Sequence, residues 1–310
     1  MNKYLKVVFS ASLLGILLYK LDWQNAIRQI NGSDLPVISV VFIILVVQFP
    51  ISACRWGKSL EIHGLNFPYL VLQKTLCISF YINTFLPTSI GGDGYRAMKT
   101  MAGIGEKSRA ISAILLERIL GFLVLLFLGL LGAISILREH PTPLVKTYIL
   151  CGVLGGILAS GMKGPLGKYI SGDVRNSSYL GKYFDAVRLN FQYIQSNRKT
   201  VVQVLLYSIV FQTFAIASIY LLFKVVGVQT GIANCAFIAG VGGIATVLPI
   251  SVNGIGVMEG SLALAAAHAG IDPSHALMAA LLLRILTIPL TLICGIIYLF
   301  DAARSIDRAS

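Results

Sequence analysis

Leu86-Pro87-Thr88-Ser89-Ile90-Gly91-Gly92-Asp93-Gly94 recurs as Leu248-Pro249-Ile250-Ser251-Val252-Asn253-Gly254-Ile255-Gly256. Both stretches read L-P-x-S-x-x-G-x-G and both lie between apolar runs. Proline removes a backbone donor and glycine relaxes φ, so each copy is expected to break a helix. A broken helix at membrane depth is tolerated only where protein or a water-filled cavity surrounds it. Paired interruptions in the two halves of a chain point to a transporter's binding site.

Composition places these breaks in a membrane. The chain of 310 residues is 56% hydrophobic and 12% charged, with a mean hydropathy of +0.80. Soluble domains carry about 25% charged residues. The net charge of +12 is read as positive-inside bias and contact with anionic headgroups, not as a nucleic-acid footprint. Cys54, Cys77, Cys151, Cys235 and Cys294 all fall in apolar segments without a C-x-x-C pair, which argues against disulfides or zinc. No Walker, H-E-x-x-H or G-x-S-x-G pattern occurs. The sequence therefore calls for no catalytic residue, metal or cofactor.

The expected fold is an all-α polytopic membrane protein. Full spans are expected near 4–21, 36–58, 109–137, 145–162, 200–226 and 274–300, each near the length needed to cross hydrocarbon. The first is read as an uncleaved helix, not a signal peptide. The shorter segments 69–86 with 93–105, and 231–248 with 254–268, flank the breaks and read as two re-entrant hairpins. Lys163, Lys168, Arg175, Lys182, Arg188, Arg198 and Lys199 mark 163–199 as cytoplasmic, as Arg96, Lys99, Lys107 and Arg109 mark the end of the first hairpin. Lys3, Lys6, Arg304 and Arg308 put both termini inside, in the cytoplasmic membrane. Within 178–197, Tyr183, Val187, Phe191 and Ile194 recur at helical spacing, fitting either a surface helix or packing on neighbouring helix ends.

This topology makes one transmembrane domain, 1–310, whose halves at about 36–137 and 200–300 are inverted. Leu115-Leu116-Glu117-Arg118-Ile119-Leu120 matches Leu281-Leu282-Leu283-Arg284-Ile285-Leu286, and Val46-Val47-Gln48-Phe49 weakly echoes Ile209-Val210-Phe211-Gln212. The nine-residue pattern and the Leu115 stretch are displaced by 162 and 166 residues and the shared glutamines, Gln48 and Gln212, by 164, as one duplication with small gaps would give.

Arg118 and Arg284 fall nine and ten residues into their spans, roughly 14–15 Å deep at 1.5 Å per residue. An arginine there costs at least about 2.5–3.5 kcal/mol, so it needs a partner or a cavity. Its planar fork suits phosphate oxygens; the competing reading is a structural pair with Glu117 or Glu259. Ser89, Gly91, Gly92, Ser251 and Gly254 could present donors at the half-helix starts, where the dipole favours an anion. Asp93 and Asn253 are read as equivalent N-caps. Arg96 completes the basic set, and Asp93, Glu117 and Glu259 are expected to balance charge or carry protons.

The stretch Phe85 to Arg96, the Glu117-Arg118 pair and Leu248 to Gly260 together resemble the lysylphosphatidylglycerol synthase transmembrane-region family. That family is similar to the flippase half of the bacterial multiple peptide resistance factor. The second copy in the family usually has glycines near position 253, so Asn253 is a departure. The resemblance implies translocation of a phosphate-containing lipid, aminoacylated or glycosylated, across the cytoplasmic membrane. The chain ends at Ser310 just after the last span, so no aminoacyl-transfer domain and no synthase activity are expected. The alternatives are a membrane enzyme on a lipid-linked substrate, with Asp93 or Glu259 as base, and an accessory partner of a glycosyltransferase or other lipid- or glycan-synthesis enzyme. A homo-oligomer is compatible with all three.

Overall fold

The computed structural model describes residues 34–85, 90–101, 107–161, 193–194, 196–247 and 251–307, with Ser12, Gly15 and Tyr19 besides. Among the described residues there is no strand. The helices are α1 Leu35–Ile62, α2 Tyr69–Phe85, α3 Ile90–Met101, α4 Lys107–Ile136, α5 Pro143–Gly161, α6 Arg198–Val225, α7 Ile232–Val247, α8 Val257–His268 and α9 Pro273–Asp307. Four stretches are long and apolar enough to cross a membrane: Leu35–Ile62, Ser108–Ile136, Arg198–Val225 and Pro273–Asp301. These are four of the six expected spans. The expected span 145–162 is α5, with 19 residues. The span 4–21, the residues 86–89 and 248–250 of the breaks, and most of 163–199 lie outside the described residues.

Local chemistry explains the helix ends. α1 and α6 stop in the same motif, with Gly64 at φ 73° and Gly227 at φ 74°. Leu65 N–H reaches back to the Leu60 carbonyl at 3.0 Å, and Val228 N–H to the Phe223 carbonyl at 2.8 Å. Glycine is favoured at this left-handed position because it has no Cβ to clash. α9 starts with Asp272 as cap, Pro273 next, and Ser274 N–H donating to Asp272 Oδ1 at 2.8 Å.

Eight of the nine named helices pack as two sets of four, and α5 lies against α4 and α8. α1 packs on α2 and α4, α2 on α3, and α3 on α4; α6 packs on α7 and α9, α7 on α8, and α8 on α9. Between the sets α1 packs on α6, α4 on α7 and α2 on α9. Exchanging one set for the other maps these pairs onto one another.

Side-chain contacts fix the direction of each short pair. Gly132, near the end of α4, abuts Ala233 at the start of α7, while Gly243 near the end of α7 abuts Leu125. α7 therefore runs back from the end of α4 towards its middle. α8 returns to the same end, where Gly270 meets His140. The α2–α3 pair opens at the other end: Lys74 at the start of α2 and Lys99 at the end of α3 both pair with Asp301 of α9. The start of α3 again reaches the middle of α4, through Asp93 and Arg118. The start of α3 and the last turns of α7 thus lie level with the middle of α4, whose 30 residues span about 45 Å.

The buried interior forms two main apolar clusters. One gathers Trp56, Leu60, Leu72, Ala97, Ala113 and Ile114 from α1 to α4. The larger gathers Leu125, Phe223, Phe237, Leu262, Ala266 and Ala280 from α4 and α6 to α9. Glycines let α4 and α7 touch: an added Cβ at Gly129 or Gly240 would collide with the Tyr148 hydroxyl lying between them. The outer surface remains apolar, with Ile43, Leu70, Phe127, Leu264, Leu292 and Phe300 exposed. Such faces suit hydrocarbon as solvent, where association rests on close packing.

Candidate functional site

The charged groups at mid-bundle form one chain of contacts. Arg55 of α1 donates to Glu117 Oε1 from Nε at 3.0 Å and from Nη2 at 2.8 Å. Glu117 Oε2 accepts from Arg96 Nη2. Arg96 Nη1 reaches Asp93 Oδ1 at 3.4 Å, and Asp93 Oδ2 accepts from Arg118 Nε. The order is Arg55, Glu117, Arg96, Asp93, Arg118: cation and anion alternate, with a cation at each end. Exposure falls from 12% at Arg55 to 1% at Glu117, then rises through 6% at Arg96 and 16% at Asp93 to 47% at Arg118. Arg96 is steadied by the Trp56 ring, whose centroid lies 4.3 Å from its Cζ. The Arg55 guanidinium sits 4.9 Å from the Phe211 ring centroid.

The second half holds a shorter counterpart. Arg284 Nε donates to Glu259 Oε1, and Glu259 Oε2 accepts the Gly256 N–H at 2.7 Å. Glu259, 1% exposed, thus caps α8 and anchors an arginine. Asp93–Arg118 and Glu259–Arg284 each join residues 25 apart in sequence. In both pairs the guanidinium uses Nε, and no Nη group of either arginine makes a hydrogen bond among the described residues.

The sequence expectations fare unequally here. Arg118, Arg96, Asp93 and Glu117 come together, as do Arg284 and Glu259. The structural pair foreseen for Arg284 is present; Arg118 pairs with Asp93 instead of its neighbour Glu117. The equivalence of Asp93 with Asn253 is corrected: the repeated pattern itself sets Asp93 against Ile255 and Asn253 against Gly91, and the paired arginines match Asp93 with Glu259, displaced by the same 166 residues as Arg284 from Arg118. Neither Asp93 nor Asn253 is an N-cap. Asp93 lies inside α3, and Gly256 occupies the cap of α8. Asn253 instead takes the left-handed conformation at φ 48° within a 3₁₀ turn, Val252–Gly254. Asparagine tolerates that region better than most residues, so it serves where a glycine would.

One of the expected backbone donors is already occupied. Gly92 N–H donates to Asn83 Oδ1 at 2.7 Å, and an added Cβ there would strike Ser79 and Asn83. The described geometry makes Gly92 a packing glycine between α2 and α3. Ser251 is 5% exposed beside the turn that packs on α2, and Gly254, at φ 71°, lies between Thr246 and Met258. Ser89 lies outside the described residues. No group of three or more His, Cys, Asp or Glu side chains suited to a metal occurs among the described residues.

Sequence reasoning missed Arg55. It stands three residues before Lys58 at the expected end of a span, where basic residues usually mark the interface. Its distance from that end, most of a helical turn, was the available signal.

Long apolar helices, outward-facing apolar side chains and a buried ionic network define a multi-pass membrane protein. The chain belongs to the lysylphosphatidylglycerol synthase TM region family, whose model matches residues 4–295. The resemblance carried by the two breaks is thereby borne out, and it connects this membrane protein with lipid. No curated protein matches the chain.

Proposed function

We propose that the protein is a lipid flippase-like translocator that moves a phosphate-bearing lipid across the cytoplasmic membrane, with both termini inside. Its halves form an inverted repeat, with six spans and two re-entrant hairpins meeting at the midplane. Arg118 and Arg284 contact the headgroup, supported by Arg96 and by the break at Ser89, Ser251 and Gly254, while Gly92 packs α3 against α2. Alternating access then exposes this level to either leaflet.

The carrying observation is the duplicated carboxylate–arginine pair, level with the breaks and using one guanidinium edge in each case. A guanidinium held through Nε keeps its Nη pair oriented for bidentate oxygen recognition. The opposed openings of the two short-helix pairs support the inversion. Asp93 and Glu259, the candidate bases of a group-transfer enzyme, are each committed to arginine, which favours transport over that alternative.

Leaflet-resolved labelling of lipid in reconstituted vesicles tests the reading. Arg118→Lys keeps the charge but loses the planar fork, and is expected to slow transport at wild-type abundance. Wild-type transport by Arg118→Ala would remove this arginine as the headgroup anchor.

A further inference from the structure

The ionic network is not balanced. Three guanidinium groups face two carboxylates in the first half, leaving one formal positive charge. In the second half one carboxylate meets one arginine, leaving none. Arginine does not lose its proton in proteins, so deprotonation of a cation cannot remove the excess. The chain of contacts ends at Arg118, its most exposed member. The excess charge thus emerges at an exposed guanidinium, and an anion at Arg118 would balance it.

The carboxylates narrow the ligand further. Asp93, Glu117 and Glu259 each hold an arginine. No carboxylate among the described residues at this level is left to receive an ammonium group. Resting on the transport reading above, we propose that the site selects a lipid with one net negative charge: a phosphodiester headgroup without an amine. Arg55, at the far end of the contact chain, sets this preference through Glu117 and Arg96 without touching the lipid. It is a positioning residue.

The test measures the unfolding midpoint of the full-length protein in detergent during titration with short-chain phosphatidylglycerol, short-chain phosphatidylethanolamine or inorganic phosphate. Phosphatidylglycerol is expected to bind about tenfold more tightly than phosphatidylethanolamine, roughly the factor that one partly screened unit charge supplies. Arg55→Gln should bring phosphatidylglycerol down to the phosphatidylethanolamine level. Arg55→Lys, which restores the charge, should keep the preference. Equal binding of the two lipids by the wild type, or an unchanged preference in Arg55→Gln, would overturn the charge assignment and leave transport standing. Inorganic phosphate binding as tightly as phosphatidylglycerol would assign the site to a free anion and overturn the lipid assignment. Failure of both lipids to bind, with Arg118→Ala indistinguishable from wild type, would bring down the transport reading itself.

Discussion

The second half contains a natural replacement for the buried ionic network of the first. Displacements of 164 and 166 residues set Arg55 against Ile219, Arg96 against Leu262 and Glu117 against Leu283. Those three apolar residues line one tight cavity with Leu222, Phe223 and Ile238. The prediction is that transplanting them rescues a damaged first half. Glu117→Leu alone removes a carboxylate that is 1% exposed, strands Arg55, 12% exposed, and leaves Arg96, 6% exposed, with only its 3.4 Å contact to Asp93. Breaking such a buried pair costs about 3–5 kcal/mol, or at least two orders of magnitude in the folded-to-unfolded ratio. Arg55→Ile, Arg96→Leu and Glu117→Leu together leave no stranded charge, since Asp93 keeps Arg118. A well-packed apolar replacement of a buried ionic triad is commonly neutral or stabilising, so the triple variant should unfold within about 2 kcal/mol of wild type, allowing for the lost Trp56 stack. Fluorescence-detected size exclusion after heating would rank wild type, single and triple variants. A triple variant as unstable as Glu117→Leu would refute both the counterpart assignment and the claim that stranding causes the loss. By the charge argument above, the rescued triple variant should fold and yet fail to hold an anionic lipid.

Other expectations are more local. Glu259→Ala removes the cap of Gly256 and the partner of Arg284 together and should cost about 3–5 kcal/mol, with much recovered in Glu259→Met/Arg284→Leu; thermal midpoints of the single and double variants would decide, and equal losses in both would count against the pair. Gly92→Ala should lower membrane abundance through its clash with Ser79 and Asn83, by about 1–3 kcal/mol of overpacking, whereas normal abundance would show that α2 and α3 can part. Asp272→Ala should cost about 1 kcal/mol as a lost cap. The Ser274 N–H holds the Asp272 carboxyl below its ordinary range. Its contribution is therefore present above the unfolded-state value and lost only as pH falls through the lowered folded value. An unfolding midpoint whose acid limb is the same with and without Asp272 would contradict this.

Much of the fold was legible because membrane helices announce themselves by length. The pairs flanking the breaks emerged at nearly their observed bounds, as Tyr69–Phe85 with Ile90–Met101 and Ile232–Val247 with Val257–His268. Arg118 and Arg284 stood out because a charge inside an apolar run has few innocent explanations. Their partners were not legible. Glu117 looks like the obvious mate of Arg118 in sequence, yet consecutive residues on a helix point about 100° apart and do not face each other. The true partner, Asp93, lies 25 residues back on another helix. The same geometry hid Glu259 as its counterpart, because aligning the breaks alone set Asp93 against the wrong residue. Arg55 stayed hidden because only tertiary packing turns a residue near a helix end inward.

The packing of the short helices has a historical consequence. The first arm of each pair seats on a long helix of its own set and on one of the other: α7 on α6 and α4, and α2 on α1 and α9. A half-length ancestor would have lacked the second of these seats for its own α2-like arm. It would have needed a second copy, and the opposed openings require that copy to have been inserted upside down. Under the inverted-repeat reading, a half-length chain would therefore complete its packing only as an antiparallel pair of copies.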